Sequence, residues 1–123
     1  MSVLVDTSVW IRGLAGREPY AAGLDRLLSR EDVTAHEFVY GELLMGAPGG
    51  RAELLENLDR LPSAPLVPHR DVAALVRHRK LQGRGIGWID AHLLASALAG
   101  GLRLWSADAA LDRVAQELQV AYR

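Results

Sequence analysis

Short apolar runs alternate with segments of helical spacing along this chain, and that alternation limits its folds more than any other feature. Val3-Leu4-Val5 opens the series, so Met1 to Val5 reads as a short buried strand with a turn or helix starting at Asp6-Thr7-Ser8. Helical spacing follows over Tyr20 to Arg30, then a short strand over Asp32 to Ala35. A helix from His36 to Met45 ends at Gly46, with Pro48 as a second stop signal. Arg51 to Leu61 is helical, and Pro65-Leu66-Val67 is expected to form an edge strand among its prolines. Asp71 to Gln82 is a helix, Gly83 to Gly87 a loop, and Trp88 to Ala99 an apolar helix closed by Gly100-Gly101. A strand over Leu102 to Trp105, a helix over Asp108 to Leu118 and a strand over Val120 to Tyr122 complete the pattern. Strands alternating with helices predict an α/β fold with a parallel sheet covered on both faces.

The 123 residues suit one domain with a real core, and half of them are hydrophobic. The expectation is a single domain over residues 1–123. No apolar stretch approaches the roughly 20 residues that cross a bilayer, and nothing marks secretion, so a cytoplasmic protein without membrane contact is expected. Cysteine is absent, which excludes disulfides, thiolate metal sites and thiol nucleophiles. A net charge of −1 argues against a broad positive surface for nucleic acid but leaves room for a local basic strip.

Four carboxylates stand out: Asp6, Glu42, Asp90 and Asp108. Asp6 ends the first apolar run, Glu42 lies within Phe38 to Met45, Asp90 opens Ala91-His92-Leu93-Leu94, and Asp108 follows the strand ending at Trp105. An ionised carboxylate in apolar surroundings is costly unless paired or bound to metal, and most of these have no basic neighbour in sequence. A shared cation that handles phosphate is the economical explanation. Sites in open α/β sheets form beyond the carboxyl ends of the strands. If the first strand neighbours Leu102 to Trp105, Asp6 and Asp108 meet at one rim, and Asp90 and Glu42 can join them from helix faces. Helix capping remains an alternative for Asp6, Asp90 and Asp108. Glu42 is too deep in its helix for that, and its alternative is an exposed position at the edge of an apolar face.

The segments Val3-Leu4-Val5-Asp6-Thr7-Ser8-Val9-Trp10-Ile11, Val39-Tyr40-Gly41-Glu42-Leu43-Leu44-Met45-Gly46, Gly87-Trp88-Ile89-Asp90-Ala91 and Leu104-Trp105-Ser106-Ala107-Asp108 resemble the PIN-domain nucleases. More closely, they look like the VapC toxins of type II toxin–antitoxin systems. The resemblance runs from Ser2 to about Tyr122 and finds no acidic position missing. It implies a three-layer α/β/α fold with a central parallel sheet of four to five strands, and a homodimer. It also implies an endoribonuclease dependent on Mg²⁺ or Mn²⁺ and inhibited by a cognate VapB-like antitoxin. On this sequence Asp6, Glu42, Asp90 and Asp108 become the metal-binding and catalytic acids, with Asp6 and Asp90 the first choice as direct ligands. Ser8 and Ser106 become hydroxyl helpers; Ser106 stands where the family often has threonine.

Such a quartet supports phosphodiester hydrolysis, because a bound Mg²⁺ activates water and polarises phosphate. Arg84 in its glycine loop is the first candidate for a substrate contact, beside the basic run Arg77-His78-Arg79-Lys80. His92 is expected to be a hydrogen-bonded structural histidine, and His36 to assist capping. Trp10, Trp88 and Trp105 are expected in packing or a dimer contact, with base stacking as the alternative. Aspartyl-phosphate chemistry is disfavoured, since Ser8 stands where a second Asp is wanted and the only lysine is Lys80. The non-enzymatic alternative is an acidic pocket that merely holds a cation or a partner's arginine.

Overall fold

A computed structural model of the chain describes residues 2–46 and 51–123. The elements run β1 (Val3–Val5), α1 (Thr7–Leu14), α2 (Tyr20–Ser29), β2 (Val33–Thr34), α3 (Glu37–Met45), α4 (Ala52–Asp59), α5 (His69–Arg79), α6 (Trp88–Gly100), β3 (Arg103–Trp105) and α7 (Ala109–Glu117). The expected second stop at Pro48 and the strand start at Met1 lie outside the described residues. All of β1 is buried, as a strand covered on both faces requires.

The sheet is parallel, in the order β2-β1-β3. Three strands stand among the described residues, where four to five were expected. The two further positions exist only as single bridges, Ala35 to Ser63 on one side and Leu104 to Ala121 on the other. The expected strand at Pro65-Leu66-Val67 is therefore a correction. Pairing falls earlier, where Ala35 N–H donates to Pro62 O and Ala64 N–H to Ala35 O. Pro65 and Pro68 have no N–H to extend it. Val120 to Tyr122 likewise contributes only the bonds on either side of Leu104.

Chain order puts β2 on one side of β1 and β3 on the other, so the strand order reverses at β1/β3, the switch point where α/β folds open a crevice. Helix α6 threads the core, buried at every residue from Ala91 to Ala97, and stops at Gly101 in the left-handed conformation (φ 63°). Its Ala91 and Ala95 meet Val72 of α5 in a small cluster beside the main core. The α5 helix runs from His69 to Arg79 and ends at Lys80, which is left-handed (φ 56°), short of the expected Gln82. No helix among the described residues is long and apolar enough to cross a membrane.

Candidate active site

Strand register sets Asp6 beside the carboxyl end of β3. Val5 pairs with Trp105, and Asp6 N–H donates to Trp105 O at 2.9 Å, so Asp6 and Ser106 leave the sheet side by side. Asp6 occupies the cap position of α1, yet its carboxylate caps nothing. Its Oδ2 instead accepts from Ser8 Oγ at 2.7 Å and Ser106 Oγ at 2.9 Å. Each hydroxyl also accepts a backbone N–H, Ser8 from Ala107 and Ser106 from Asp108, both at 3.0 Å. Each serine has one proton and gives it to Asp6, so their 3.5 Å approach is a contact without a hydrogen bond. The serines thus tie α1 and the end of β3 to one oxygen of a buried carboxylate.

The other three acids are anchored separately. Asp108 Oδ1 caps α7, accepting from Ala110 N–H at 2.9 Å and Leu111 N–H at 3.1 Å. Asp90 Oδ2 accepts Gly87 N–H at 3.0 Å at the start of α6. Glu42 Oε1 accepts from Thr7 Oγ1 at 2.6 Å, which pins α3 to α1. Capping therefore holds for Asp108 and Asp90 and fails for Asp6. One pattern covers all four: a single oxygen is engaged by the protein, and Asp6 Oδ1, Glu42 Oε2, Asp90 Oδ1 and Asp108 Oδ2 take no hydrogen bond among the described residues.

Burial is less uniform than the sequence suggested. Asp6 is 5% exposed and Asp90 half-buried, but Glu42 and Asp108 face solvent. Glu42 is corrected most: it lies off the packed face of α3, whose buried residues are Val39 and Leu43. Gly41 beside it admits a Cβ into open space, so no close backbone approach explains that glycine. None of the four acids meets a Lys or Arg; the ion pairs among the described residues are Arg84–Glu117 and Arg123–Asp112.

Electrostatics join what hydrogen bonds keep apart. The Asp90 carboxyl is pushed above its ordinary range, first by burial and then by the negative charges of Asp6, Asp108 and Glu42; only the Gly87 N–H opposes this. Among the described residues no three acidic or histidine side chains stand close enough to grip one ion together. Hard oxygen donors, unpaired negative charge and four uncommitted oxygens nevertheless fit Mg²⁺, which takes one or two carboxylates directly and keeps several waters.

The PIN domain family matches residues 3–117, a span that contains all four acids and both serines. Ribonuclease VapC32 of Mycobacterium tuberculosis, in strains CDC 1551 / Oshkosh and ATCC 25618 / H37Rv, is 42% identical over 120 residues, covering 97% of this chain and 94% of the relative. The chain belongs to the VapC group of PIN domains. Two solved structures share the fold: PAE2754 from Pyrobaculum aerophilum (TM-score 0.58, 17% identity, 92% of this chain and 78% of that one) and FitAB bound to an IR36 DNA fragment (TM-score 0.60, 21% identity, 97% and 92%).

Around this PIN-domain rim the remaining sequence candidates fall in different places. Arg84 is not free, because its guanidinium is held by Glu117 of α7. His36 does cap α3, with Nδ1 accepting Phe38 N–H at 3.0 Å. That leaves the proton on Nε2, which donates to Ser96 Oγ at 2.9 Å, and Ser96 in turn donates to Pro65 O at 2.7 Å. Burial, with His92 nearby, holds the His36 pKa down to about 4. His92 is buried as expected but not hydrogen-bonded as expected at Nδ1, which has no partner among the described residues. Its ring sits between Phe38 at 4.7 Å and Trp88 at 5.0 Å, both edge-on. Trp10 is buried, and Trp105 is half-buried against Tyr20 and Tyr122. Only Trp88 is exposed. Sequence reasoning assigned no role to Thr7 or Ser96. Their partners lie 35 and 60 residues away, a separation no local pattern reports.

Proposed function

We propose that this chain is a VapC-like endoribonuclease toxin that hydrolyses RNA phosphodiester bonds through Asp6, Glu42, Asp90 and Asp108 with Mg²⁺ or Mn²⁺. The observation that carries the reading is that the negative charges of Asp6, Asp108 and Glu42 all bear on Asp90, with no ion pair among the described residues to neutralise any of the four. When bound, the metal supplies an activated water and charge neutralisation on phosphate. The protein's own part is to hold and orient. Ser8 and Ser106 fix Asp6 Oδ2 and thereby aim Oδ1, while the Gly87 N–H fixes Asp90 and the Ala110 and Leu111 N–H groups fix Asp108. Thr7 sets Glu42, whose exposed carboxylate can take a proton from water or hold a water of the metal shell.

The 42% identity to a protein named as a ribonuclease supports the same activity here. The same kinship supports a cognate VapB-like antitoxin as inhibitor, a homodimer, a single nuclease domain over residues 1–123 in the family's three-layer α/β/α arrangement, and a cytoplasmic setting. RNA phosphates would meet Arg77, Arg79 and Lys80, which are exposed at the end of α5 and unpaired with any carboxylate among the described residues. Arg84 joins them only by leaving Glu117. The test is a transcriptome-wide map of cut sites made by purified wild-type protein with Mg²⁺ or Mn²⁺, beside the same protein in EDTA and the Asp6→Asn variant. Discrete cuts present only in the metal-loaded wild type support the proposal, and their absence would overturn it.

A further inference from the structure

One cleft beside the acidic rim has no part in holding metal. It measures about 140 Å³ and lies between the end of α5, the glycine loop and the first turns of α6. Val76, Leu81, Ile86, Trp88 and Ala91 give it apolar walls, and Gln82 is its one amide side chain. Leu81 and Ala91 are buried floor residues, whereas Trp88 is 43% exposed and Gln82 is exposed. Small-molecule pockets start near roughly 300 Å³, so this one has room for a single ring system and no more.

The indole is held in place without being covered. His92 meets it at 87° and His69 at 52°, each with ring centroids 5.0 Å away, so neither ring lies flat against it. The surrounding chemistry runs in a sequence suited to a nucleotide chain. Gly87, which lines the cleft, donates its N–H to Asp90 Oδ2 at 3.0 Å, and the exposed cations Arg77, Arg79 and Lys80 lie in the chain between the lining residues Val76 and Leu81. Gly83, left-handed at φ 70°, and Gly87 line the cleft without side chains.

We infer that this cleft seats one base of the RNA next to the cleaved phosphodiester, with Trp88 as the stacking surface and the Gln82 amide meeting the base edge. The inference rests on the ribonuclease reading for its ligand, and it adds a specificity subsite to that centre. Stacking on an aromatic side chain tolerates every base, so Trp88 contributes affinity. Preference among bases comes from Gln82, whose amide both donates and accepts.

The experiment uses full-length wild-type protein in EDTA and short homopolymeric RNAs of A, C, G and U, with binding read by fluorescence anisotropy. Trp88→Leu is expected to weaken binding by about 5- to 150-fold, while Trp88→Phe keeps most of it. An RNA made abasic at the nucleotide beside a mapped cut should bind wild type and Trp88→Leu equally. Gln82→Leu should alter which base flanks the cut sites in a cut-site map made with Mg²⁺ or Mn²⁺. Unchanged RNA binding by Trp88→Leu, or an equal loss with the abasic RNA, would overturn the inference. So would a change of sedimenting mass in that variant, which would make Trp88 a subunit contact. Cleavage by wild type, scored separately, decides the ribonuclease reading. Trp88→Phe, checked by circular dichroism, separates a folding defect from a lost stack.

Discussion

Two buried polar networks begin beyond the carboxyl ends of the neighbouring strands β1 and β2, and they end differently. The His36–Ser96–Pro65 chain is closed: the Phe38 N–H enters at Nδ1, each proton passes one way, and the last acceptor is a backbone carbonyl. The Asp6–Ser8–Ser106 network is open: two hydroxyls and two backbone N–H groups converge on one oxygen of Asp6, and the other oxygen is left over. A closed network fixes a backbone, here the entry to α3 and the segment around Pro65. An open one aims an unsatisfied atom at something else. The two networks differ in how they end where burial tells nothing apart, since both side chains are almost fully buried.

Breaking the open network should cost most. Asp6→Asn keeps an acceptor for the two serines and removes the charge, so RNA cleavage is expected to fall by at least about 10²-fold with the circular dichroism spectrum unchanged. A variant that cut RNA at the wild-type rate would reassign the centre.

The pH dependence of stability should carry opposite signs in the two regions. The His36 pKa is depressed from 6.5 to about 4, so the folded state favours the neutral ring. Its stabilising contribution is complete above 6.5 and is lost as pH falls towards 4, amounting to about 3 kcal/mol over that window. The Asp90 carboxyl is shifted upward, so its ionisation costs the folded state. Metal-free protein should therefore lose stability as pH rises from its ordinary 3.8 through the raised value, and Mg²⁺ should restore it. Urea titrations across pH, with His36→Gln and Asp90→Asn, separate the two slopes; a His36→Gln variant with the wild-type slope below 6.5 would show that the closed chain does not hold the neutral tautomer.

Ser106→Ala sharpens the comparison from the other side. It removes one donor to Asp6 and the acceptor for Asp108 N–H, so activity should fall by about 10- to 100-fold with a stability loss of about 1 to 2 kcal/mol. Ser106→Thr keeps the hydroxyl and should retain most of both. The smallest effect is expected at Gly41, which belongs to neither network. A methyl there meets open space in a helix interior, and Gly41→Ala should raise stability by roughly 0.5–1 kcal/mol in thermal unfolding.

Legibility in the sequence followed the range of the interactions. The strand–helix alternation and the placing of Asp6 beside the carboxyl end of β3 were readable because apolar runs report burial directly. Ser8 and Ser106 were readable from the motifs around the acids. The sheet's outer positions were not, since a bridge of one residue pair beside prolines leaves no apolar run. The exposure of Glu42 was misread because apolar neighbours on a helix do not say which of them face the core. Thr7 and Ser96 escaped because a hydroxyl's partner across the fold is set by packing, and Arg84 because its partner Glu117 sits on another helix.

Mn²⁺ binding, followed by electron paramagnetic resonance of the free ion, tests the central claim most directly. Wild-type protein should remove Mn²⁺ from solution in competition with Mg²⁺, and Asp6→Asn and Asp90→Asn should each weaken that uptake, while His36→Gln leaves it unchanged. Uptake by Asp6→Asn equal to wild type would contradict the account, because the uncommitted oxygen of the open network would then have no cation to hold.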